Sequence, residues 1–357
     1  LIQFEVKYMI IEEWHNTELE KNQILKITEK VYPNSEFATS EYFNWQYMDG
    51  PYGPAKILLA KNGSGDIIGI EPIVPIKLLI DNNVIMSSLS CNSIIDPNFR
   101  NQGIFSKLVS NILEFTKTNE ISSIYSIPNK KSHSIFIKNG FNDVSKLPLL
   151  VRPLKLSNYF SSPIKEIIKP IEVFWKIKKV ETNIELFNGK INSEFEKLSK
   201  DLSQRVSILQ QRDKEFLEWR YNKHPSRKYD IHILKENNEL RGYIITRIGK
   251  INGKKIGIVL DFVFDSKIKN KNGPKDLVKK VLERFWDEDV SLSIATCASN
   301  SLENKVLHEV GFKISPQFLK PEPLYFIAGA INTDSENFKK IKNFKNWFFT
   351  LGDYDVF

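Results

Sequence analysis

The sequence predicts an α/β (α+β) protein made of two related copies, each a mixed, mostly antiparallel sheet flanked by helices. Apolar runs typical of strands are joined by short Asn- and Gly-containing turns, which indicate hairpins, and they alternate with amphipathic runs typical of helices. The pattern of residues 41–141 also returns between residues 215 and 312. A chain of 357 residues is long enough to form two separate cores.

The elements predicted for the first copy follow one another without long gaps. They are strands at residues 4–11, 55–61, 67–80, 84–95, 122–127 and 147–154, and helices at residues 17–32, 40–47, 104–117 and from Ser132 onward. Thr17 and Ser40 are typical helix caps, and Pro33 ends the first helix. We expect the strand at 147–154 to complete this copy.

The repeat sets the predicted domain organisation. Glu41-Tyr42-Phe43-Asn44-Trp45 through Pro51 returns as Glu215-Phe216-Leu217-Glu218-Trp219 through Pro225, and the segment from Asp96 to Leu108 returns from Asp265 to Leu277. The predicted ranges are an N-terminal domain at 1–155, a connector at 156–200, a C-terminal domain at 201–330 and a C-terminal strap at 331–357.

A basic turn between a strand and a helix is the most informative local feature. Backbone N–H groups at the start of a helix have no intrahelical partner and lie at the positive end of the dipole. Gly103 allows close approach to the backbone, and Arg100 adds a fixed positive charge three residues earlier. The segment therefore predicts an anion site.

Two motifs around this turn resemble those of the GNAT acyl-CoA transferase superfamily. Arg100-Asn101-Gln102-Gly103-Ile104-Phe105 resembles the Arg/Gln-x-x-Gly-x-Gly/Ala turn that cradles the pyrophosphate of coenzyme A. The downstream run from Asn129 to Phe141 is similar to Asn-x-x-Ala…Tyr-x-x-x-Gly-Phe, which contacts the pantetheine arm. The resemblance implies acyl-CoA binding as acyl donor by Ile94, Ile95, Arg100, Gln102, Gly103, Ile104, Phe105, Asn129 and Ser132.

Two departures from the family pattern limit this resemblance. Phe136 stands where many members have a tyrosine that protonates the leaving thiolate, so that role is vacant or filled elsewhere. In the second copy, Lys269 and Asn272 replace Arg100 and Gly103, and Gly273 comes one place late, followed by Pro274. We therefore expect a degenerate second copy that serves acceptor binding or architecture.

Three residues are candidates for handling the proton of an attacking amine. Glu71 lies in an apolar run where burial would raise its pKa, although an edge charge beside Pro72 is an equally good explanation. His133 is a candidate because histidine is a common general base, but it is also typical of a helix surface; Asn92 either holds a water or ends a strand. Cys91 lies nearby, but no histidine or carboxylate partner can be assigned to it.

The acceptor is predicted from a broader resemblance to tandem-GNAT sugar N-acyltransferases of bacterial surface-polysaccharide (lipopolysaccharide, O-antigen) pathways. It implies transfer of an acetyl or 3-hydroxybutyryl group to the amine of a dTDP-linked amino-dideoxyhexose. Candidate acceptor-binding residues are Trp45, Tyr47, Arg212, Arg220 and Tyr221, each also explicable as core or helix surface. Alternatives are an acyltransferase for another small amine, a tandem-GNAT aminoacyl transferase of cell-wall synthesis, and a non-catalytic acyl-CoA-sensing module.

Composition narrows the partners. The net charge of +8 suits polyanionic ligands, but basic residues alternate with acidic ones, so no nucleic-acid partner is expected. Two cysteines and five histidines without ligand spacing predict no metal site.

No membrane-spanning run or signal peptide is evident, and we expect a cytoplasmic protein without stable membrane insertion; its oligomeric state is open. A basic amphipathic stretch at 164–179 either packs on the protein or lies on a membrane surface.

Overall fold

The computed structural model describes residues 8–118, 121–177, 183–316, 323–330 and 332–354. Its strands are β1 (Met9–Glu13), β2 (Lys56–Asn62), β3 (Ile67–Ile80), β4 (Asn83–Ser90), β5 (Ile94–Ile95), β6 (Ile124–Ser126), β7 (Asn142–Lys146), β8 (Leu150–Pro153), β9 (Ile184–Phe187), β10 (Ile208–Gln210), β11 (Asp230–Glu236), β12 (Glu239–Ile251), β13 (Lys254–Phe264), β14 (Leu292–Ala295), β15 (Lys313–Ile314), β16 (Tyr325–Gly329) and β17 (Trp347–Phe348).

The α-helices surround these strands. They are α1 (Glu18–Val31), α2 (Ser40–Phe43), α3 (Ile104–Thr118), α4 (Lys130–Lys138), α5 (Ile164–Glu172), α6 (Ser193–Ser203), α7 (Lys214–Leu217), α8 (Gly273–Asp287), α9 (Leu302–Glu309) and α10 (Glu336–Ile341). α2 and α7 each run directly into one turn of π-helix, Asn44–Met48 and Glu218–Asn222. This shared irregularity supports the predicted duplication.

The chain forms two compact units, each assembled from separate stretches. Unit 1 comprises Leu1–Lys146, Glu215–Arg227 and Glu322–Phe344, and unit 2 comprises Leu147–Lys214, Lys228–Pro321 and Lys345–Phe357. The units are interleaved along the chain, whereas the ranges predicted from sequence are contiguous.

The sheet of unit 1 has the order β1-β2-β3-β4-β6-β16-β7, with β5 paired to β3. β4 and β6 are parallel, and the other described pairs are antiparallel. Helix α3 packs on this sheet through buried Ile104, Leu108, Val109 and Ile112, in one cluster with strand residues such as Leu58 and Ile73. The spacing of these apolar residues is what predicted the helix.

The sheet of unit 2 repeats this arrangement in the order β9-β11-β12-β13-β14-β8-β15. Here β13 and β14 form the parallel pair, in the place that β4 and β6 take in unit 1. The fold class predicted from sequence is confirmed: both sheets are mixed, mostly antiparallel and flanked by helices.

The two sheets exchange a strand, which corrects one expectation. The strand predicted at residues 147–154 to complete the first copy is β8, and it pairs with β14 and β15 of unit 2. In return, β16 from near the C-terminus lies between β6 and β7 of unit 1. Local sequence indicates that a segment is a strand, but not which sheet edge it joins.

The end of the chain docks on unit 2. β17 pairs in parallel with β10, and Trp347, Phe348 and Phe349 are buried. The strap carries two acidic residues, Asp353 and Asp355, for which the sequence left a structural or a catalytic role open, and Asp355 lies outside the described residues. No helix in the described part of the chain combines the length and apolar character needed to cross a membrane.

Candidate functional site

The basic turn of unit 1 is anchored by Asp96. This carboxylate is 3% exposed; it accepts a bond from the Asn98 N–H at 3.0 Å and pairs with the Lys30 ammonium at 2.6 Å. The Asp96 carbonyl accepts a further bond from the Phe99 N–H at 2.9 Å. The start of the turn is thus fixed by its own side chain and by α1.

Gly103 ends the turn in a conformation that favours glycine. Its φ is +76°, and a Cβ built there would meet no atom within 4 Å, so the space beside it is open. Helix α3 begins at the next residue, and its first bond to the turn runs from the Lys107 N–H to the Gly103 carbonyl at 3.0 Å. The first N–H groups of α3, with Arg100 exposed nearby, form a surface suited to a phosphate.

In the equivalent turn of unit 2, backbone N–H groups are bonded to acceptors of the protein itself. The N–H groups of Lys269 and Asn270 donate to the two oxygens of the Glu236 carboxylate at 3.2 and 2.9 Å. The N–H groups of Asn272 and Gly273 donate to Asn270, and Pro274 has none to offer. The bonds from Asn270 and Lys269 hold the pKa of Glu236 below its usual range. Four backbone N–H groups of this turn are therefore satisfied within the protein.

The position of Glu236 explains the difference between the copies. Glu236 ends β11, and the residue that ends the matching strand β2 is Asn62. Asn62 bonds within its own hairpin, where its side chain accepts from the N–H groups of Ser64 and Asp66. Unit 1 therefore has a neutral amide, engaged elsewhere, where unit 2 has the carboxylate.

A bulge interrupts the edge of β4 next to Glu71. Ser90 pairs with Ile73 and Ile94 pairs with Ile70, so residues 91–93 oppose only two residues of β3. Asn92 lies in the bulge with φ +56°. The parallel pairing of β4 with β6 ends at Ser90 and Ser126, so the two strands separate after this point.

Glu71 is the one sequence-predicted proton acceptor with a strongly perturbed environment. It is fully buried, and its Oε1 accepts a 2.5 Å bond from the Ser90 hydroxyl, while no well-formed bond reaches Oε2 from the described residues. Burial raises its pKa to about 7, against the lowering influence of the Ser90 and Ser93 hydroxyls. Glu71 can therefore take up or release a proton near neutral pH.

The other side of the bulge is lined by polar groups that the sequence did not single out. The Gln46 amide nitrogen lies 3.6 Å from the Cys91 sulfur, and its oxygen is buried without a partner among the described residues. The Asn92 amide donates to the Tyr42 hydroxyl at 3.3 Å. The aromatic helix that contributes Gln46 and Tyr42 was predicted, but long-range contacts decide which of its residues reach the bulge.

His133 is placed differently from Glu71. Its Nε2 lies 2.5 Å from the Asp143 carboxylate, and its ring stacks on Tyr325 at 4.1 Å. Both partners come from the β7–β16 edge of the sheet. These contacts fix the position of the ring, and a catalytic role for His133 stays a prediction.

The pantetheine-side motif forms a capped helix. Asn129 caps α4 by accepting bonds from the N–H groups of Lys131 and Ser132, both at 3.0 Å. Phe136 is 1% exposed and packs edge-on against Phe105 and Phe141. Phe136, at the place of the tyrosine in the GNAT motif, therefore lies in the apolar core. Phe105, at the place of a small residue in the GNAT turn, packs against it.

The five residues proposed for acceptor binding are all buried. Within unit 1, Trp45 and Trp219 stack at 4.7 Å, and each indole N–H donates to the other's backbone carbonyl, at 2.9 and 2.8 Å. This reciprocal pair joins the two copies of the repeated aromatic helix. The binding role stays a prediction for Trp45, Tyr47, Arg212, Arg220 and Tyr221.

Arg212 is held by a buried network in unit 2. Its guanidinium bonds Asp261 at 2.8 Å and both oxygens of Asp353 at 3.0 Å, with Thr350 at 3.2 Å. All of these side chains are at most 3% exposed. Asp353 therefore anchors the C-terminal strap through a guanidinium that is fully engaged by protein groups.

One cluster could in principle hold a cation. Glu12, His15 and Glu20 place ligand atoms within 4.8 Å of one another. The Lys61 ammonium lies 2.5 Å from Glu12 and 2.8 Å from Glu20, and these contacts help lower the pKa of Glu20 to about 2 despite its burial. The Lys61 ammonium already pairs with both carboxylates, so we assign no metal to the cluster.

No family model and no curated protein matches this sequence. Solved structures match its fold. A GCN5-related N-acetyltransferase from Anabaena variabilis aligns with a TM-score of 0.64 at 12% identity, covering 89% of this chain and 72% of that one. Saccharomyces cerevisiae N-myristoyltransferase with bound myristoyl-CoA aligns with 0.60 at 14% identity, covering 92% and 80%.

A tandem GNAT protein from the clavulanic acid biosynthesis pathway aligns with a TM-score of 0.56 at 12% identity, covering 90% of this chain and 98% of that one. Each unit therefore has the fold of a GNAT acyltransferase. The whole chain has the tandem form of that fold, as the repeat in its sequence predicted.

Proposed function

We propose that this chain is an acyl-CoA-dependent N-acyltransferase whose donor site is the turn of unit 1. The observation that carries the proposal is the contrast between the two turns. In unit 1, Gly103 has a positive φ and open space beside it. At the matching places in unit 2, the N–H groups of Asn272 and Gly273 already donate to Asn270 and Pro274 has none, while Glu236 accepts from Lys269 and Asn270 just before them. This contrast favours the unit 1 turn as the pyrophosphate site.

In this proposal, coenzyme A lies with its pyrophosphate on the start of α3 and its pantetheine arm toward α4. Arg100 and Gln102 flank the phosphates, and Ile94 and Ile95 lead the chain from the bulge to the turn. The thioester then comes close to the point where β4 and β6 diverge. Bacterial and yeast proteins of the same fold, including the yeast N-myristoyltransferase solved with myristoyl-CoA, support a coenzyme A thioester as the donor.

The chemistry is direct attack of an acceptor amine on the thioester carbonyl. A C–N bond forms, the C–S bond breaks, and the amine loses a proton while coenzyme A leaves as a thiolate. Backbone N–H groups in the bulge can stabilise the developing oxyanion. Ser90, which donates to Glu71, can pass the amine's proton to that carboxylate.

Phe136 offers no proton to the leaving thiolate. A thiol with a pKa of roughly 8.5 remains partly ionised near neutral pH and can take its proton from water, so a dedicated donor is not essential. The same apolar position is compatible with a non-catalytic acyl-CoA-sensing module. Turnover separates the two functions.

For the acceptor, we propose the amine of a dTDP-linked amino-dideoxyhexose, acylated with an acetyl or 3-hydroxybutyryl group for a surface polysaccharide. The tandem fold and the positive net charge of +8, which suits a nucleotide diphosphate, support this choice. Asn92 and the Gln46 oxygen, at the bulge, are polar groups that can orient an amine.

The test is thiol release from acetyl-CoA and 3-hydroxybutyryl-CoA with a panel of nucleotide-linked amino sugars. We expect turnover with at least one dTDP-linked amine and none with the matching sugar that lacks the amine. Turnover with a free small amine alone would keep the enzyme class and reject the sugar. Tight coenzyme A binding without turnover on any amine would instead support the sensing module.

A further inference from the structure

An unusual concentration of exposed apolar side chains lies on α5 and the turn that follows it. Ile164, Ile167 and Ile171 recur at helical spacing on one face of α5 and are 51%, 66% and 49% exposed. Val173 and Phe174 follow directly at 65% and 88%. We call these five residues the α5 patch.

The preceding segment extends the patch with aromatic side chains. Tyr159 and Phe160 are each 43% exposed, and burial of the Tyr159 ring edge raises the pKa of its hydroxyl. An isolated exposed leucine or isoleucine is ordinary on a protein surface, but a contiguous apolar group of this size marks an interaction site.

The one fully buried side chain of α5 is a carboxylate, although half-buried Ile168 lies one turn before it. Glu172 is 4% exposed, and its carboxylate accepts bonds from the Ser157 N–H at 2.5 Å and the Ser157 hydroxyl at 3.0 Å. The helix is thus fixed to unit 2 by a buried polar anchor, and this anchor leaves its apolar face toward solvent.

Lysines lie along α5 and the turn after it, beside the patch: Lys169 and Lys176 are exposed and Lys165 is half-buried. The nearby acids are Glu166 on the same helix and, on α8, Asp287 and Glu283, of which Glu283 is paired with Lys280. Apolar and aromatic residues on one face with lysines beside them are typical of a helix that lies in the headgroup region of an anionic bilayer.

We propose that the α5 patch docks this protein on the surface of an anionic lipid bilayer. The borders decide between a bilayer and a second copy of the chain. Two copies meeting through this patch would bring the same lysines together, whereas anionic headgroups complement them. A chain with net charge +8 is also drawn to such a surface as a whole.

The experiment is sedimentation of the full chain with vesicles of phosphatidylcholine alone or with about 30% phosphatidylglycerol. We expect binding to the anionic vesicles that weakens as salt rises. I167S/F174S should lower the partition coefficient by more than about tenfold, because two large apolar side chains no longer enter the bilayer. K169Q/K176Q should lower it by on the order of tenfold and remove most of the salt dependence.

V84S/M86S is the matched control, because Val84 and Met86 are exposed apolar residues of β4, at 53% and 40%, far along the chain from α5. It should bind vesicles like the unmodified chain, and circular dichroism should show that every variant is folded. Equal vesicle binding by I167S/F174S and the unmodified chain would overturn the proposal. So would an absence of vesicle binding, or a dimer in sedimentation velocity that only I167S/F174S dissociates, which would assign the patch to a second copy.

Discussion

At the scale of single residues, Glu71 and Gly103 carry the proposed chemistry. Glu71 is buried beside a strand bulge with its pKa raised to about 7, and Gly103 holds a positive φ at an open turn. Both lie in the stretch that leads from β3 through the bulge to α3. The first positions a proton acceptor and the second allows a phosphate close to the backbone.

We expect E71Q to lower kcat/KM by about 100-fold or more, because general-base catalysis typically contributes that much. In the unmodified protein, kcat/KM should rise with pH through about 7 as the carboxylate ionises. In E71Q this acid limb should disappear while the affinity for coenzyme A stays the same. A pH–rate profile with the limb intact in E71Q would assign the base to another group.

The same carboxylate should affect stability. Its folded pKa of about 7 lies above the usual 4.5, so its ionisation disfavours the folded state, and stability is lost as pH rises from about 4.5 through 7. E71Q removes that loss. Thermal unfolding should therefore show E71Q gaining stability relative to the unmodified chain at pH 8 compared with pH 5, and an unchanged difference would show that Glu71 is not buried in solution.

A second glycine with the same backbone conformation serves as a control for Gly103. Gly253 has φ +75° and open space around it, but it lies in the β12–β13 hairpin rather than in the phosphate turn. We expect G103V to weaken coenzyme A binding at least about tenfold in titration calorimetry, since the side chain enters the space a phosphate needs. G253V carries the same backbone strain and should leave the affinity unchanged; equal losses would make the effect one of strain.

At the scale of elements, the two strand–turn–helix segments keep a similar shape but satisfy their turns differently. Helix α3 follows the turn after β5 and helix α8 follows the turn after β13, and each helix is 15 residues long. The difference lies at the end of the neighbouring strand, where Asn62 and Glu236 occupy matching places. In unit 2 the Glu236 carboxylate accepts bonds from two N–H groups of the turn, and Asn270 accepts from two more.

We expect R100A to weaken coenzyme A binding by about tenfold, the loss of one charge-assisted contact, and K269A to have no effect. Both substitutions remove one cation from equivalent places in the two turns, so each is the control for the other. A large loss in K269A with none in R100A would show that unit 2 holds the donor.

At the scale of the whole molecule, the sequence predicted the duplication but not its interleaving. The limits of β3 and the start of α3 agree with prediction because both depend on local apolar periodicity. No local sequence pattern predicts the exchange of β8 and β16, because the strand that each one pairs with depends on residues far away along the chain. For that reason the strand at 147–154 was assigned to the wrong sheet.

In the candidate functional site too, features that depend on nearby residues could be predicted and those that depend on distant residues could not. The turn at Arg100–Phe105 and the apolar surroundings of Glu71 can be read from nearby residues, and a raised pKa was one of the two explanations that the sequence left open for Glu71. Arg212 was predicted to bind the acceptor, and its pairing with Asp353, 141 residues away along the chain, could not be read from local sequence. Glu236 and Gln46 were missed because their roles depend on neighbours that only the fold brings together.

The Arg212 network ties the strap to unit 2, and its loss should be costly. We expect D353N to lower the free energy of unfolding by about 3 kcal/mol, since removing one partner leaves a buried guanidinium undercompensated. Chemical denaturation measures this directly. K339Q, which breaks an exposed pair with Glu336, is the control and should change stability by less than about 1 kcal/mol. Equal effects of the two would mean that the strap is not docked in solution.

The central claim is that unit 1, and not unit 2, holds the acyl donor. A density map of the full chain with coenzyme A tests it most directly. We predict one coenzyme A per chain, with its pyrophosphate on the backbone N–H groups between Gln102 and Phe105 and with Glu236 still bonded to Lys269 and Asn270. A pyrophosphate on the turn at residues 269–274, with Glu236 displaced, would contradict the account.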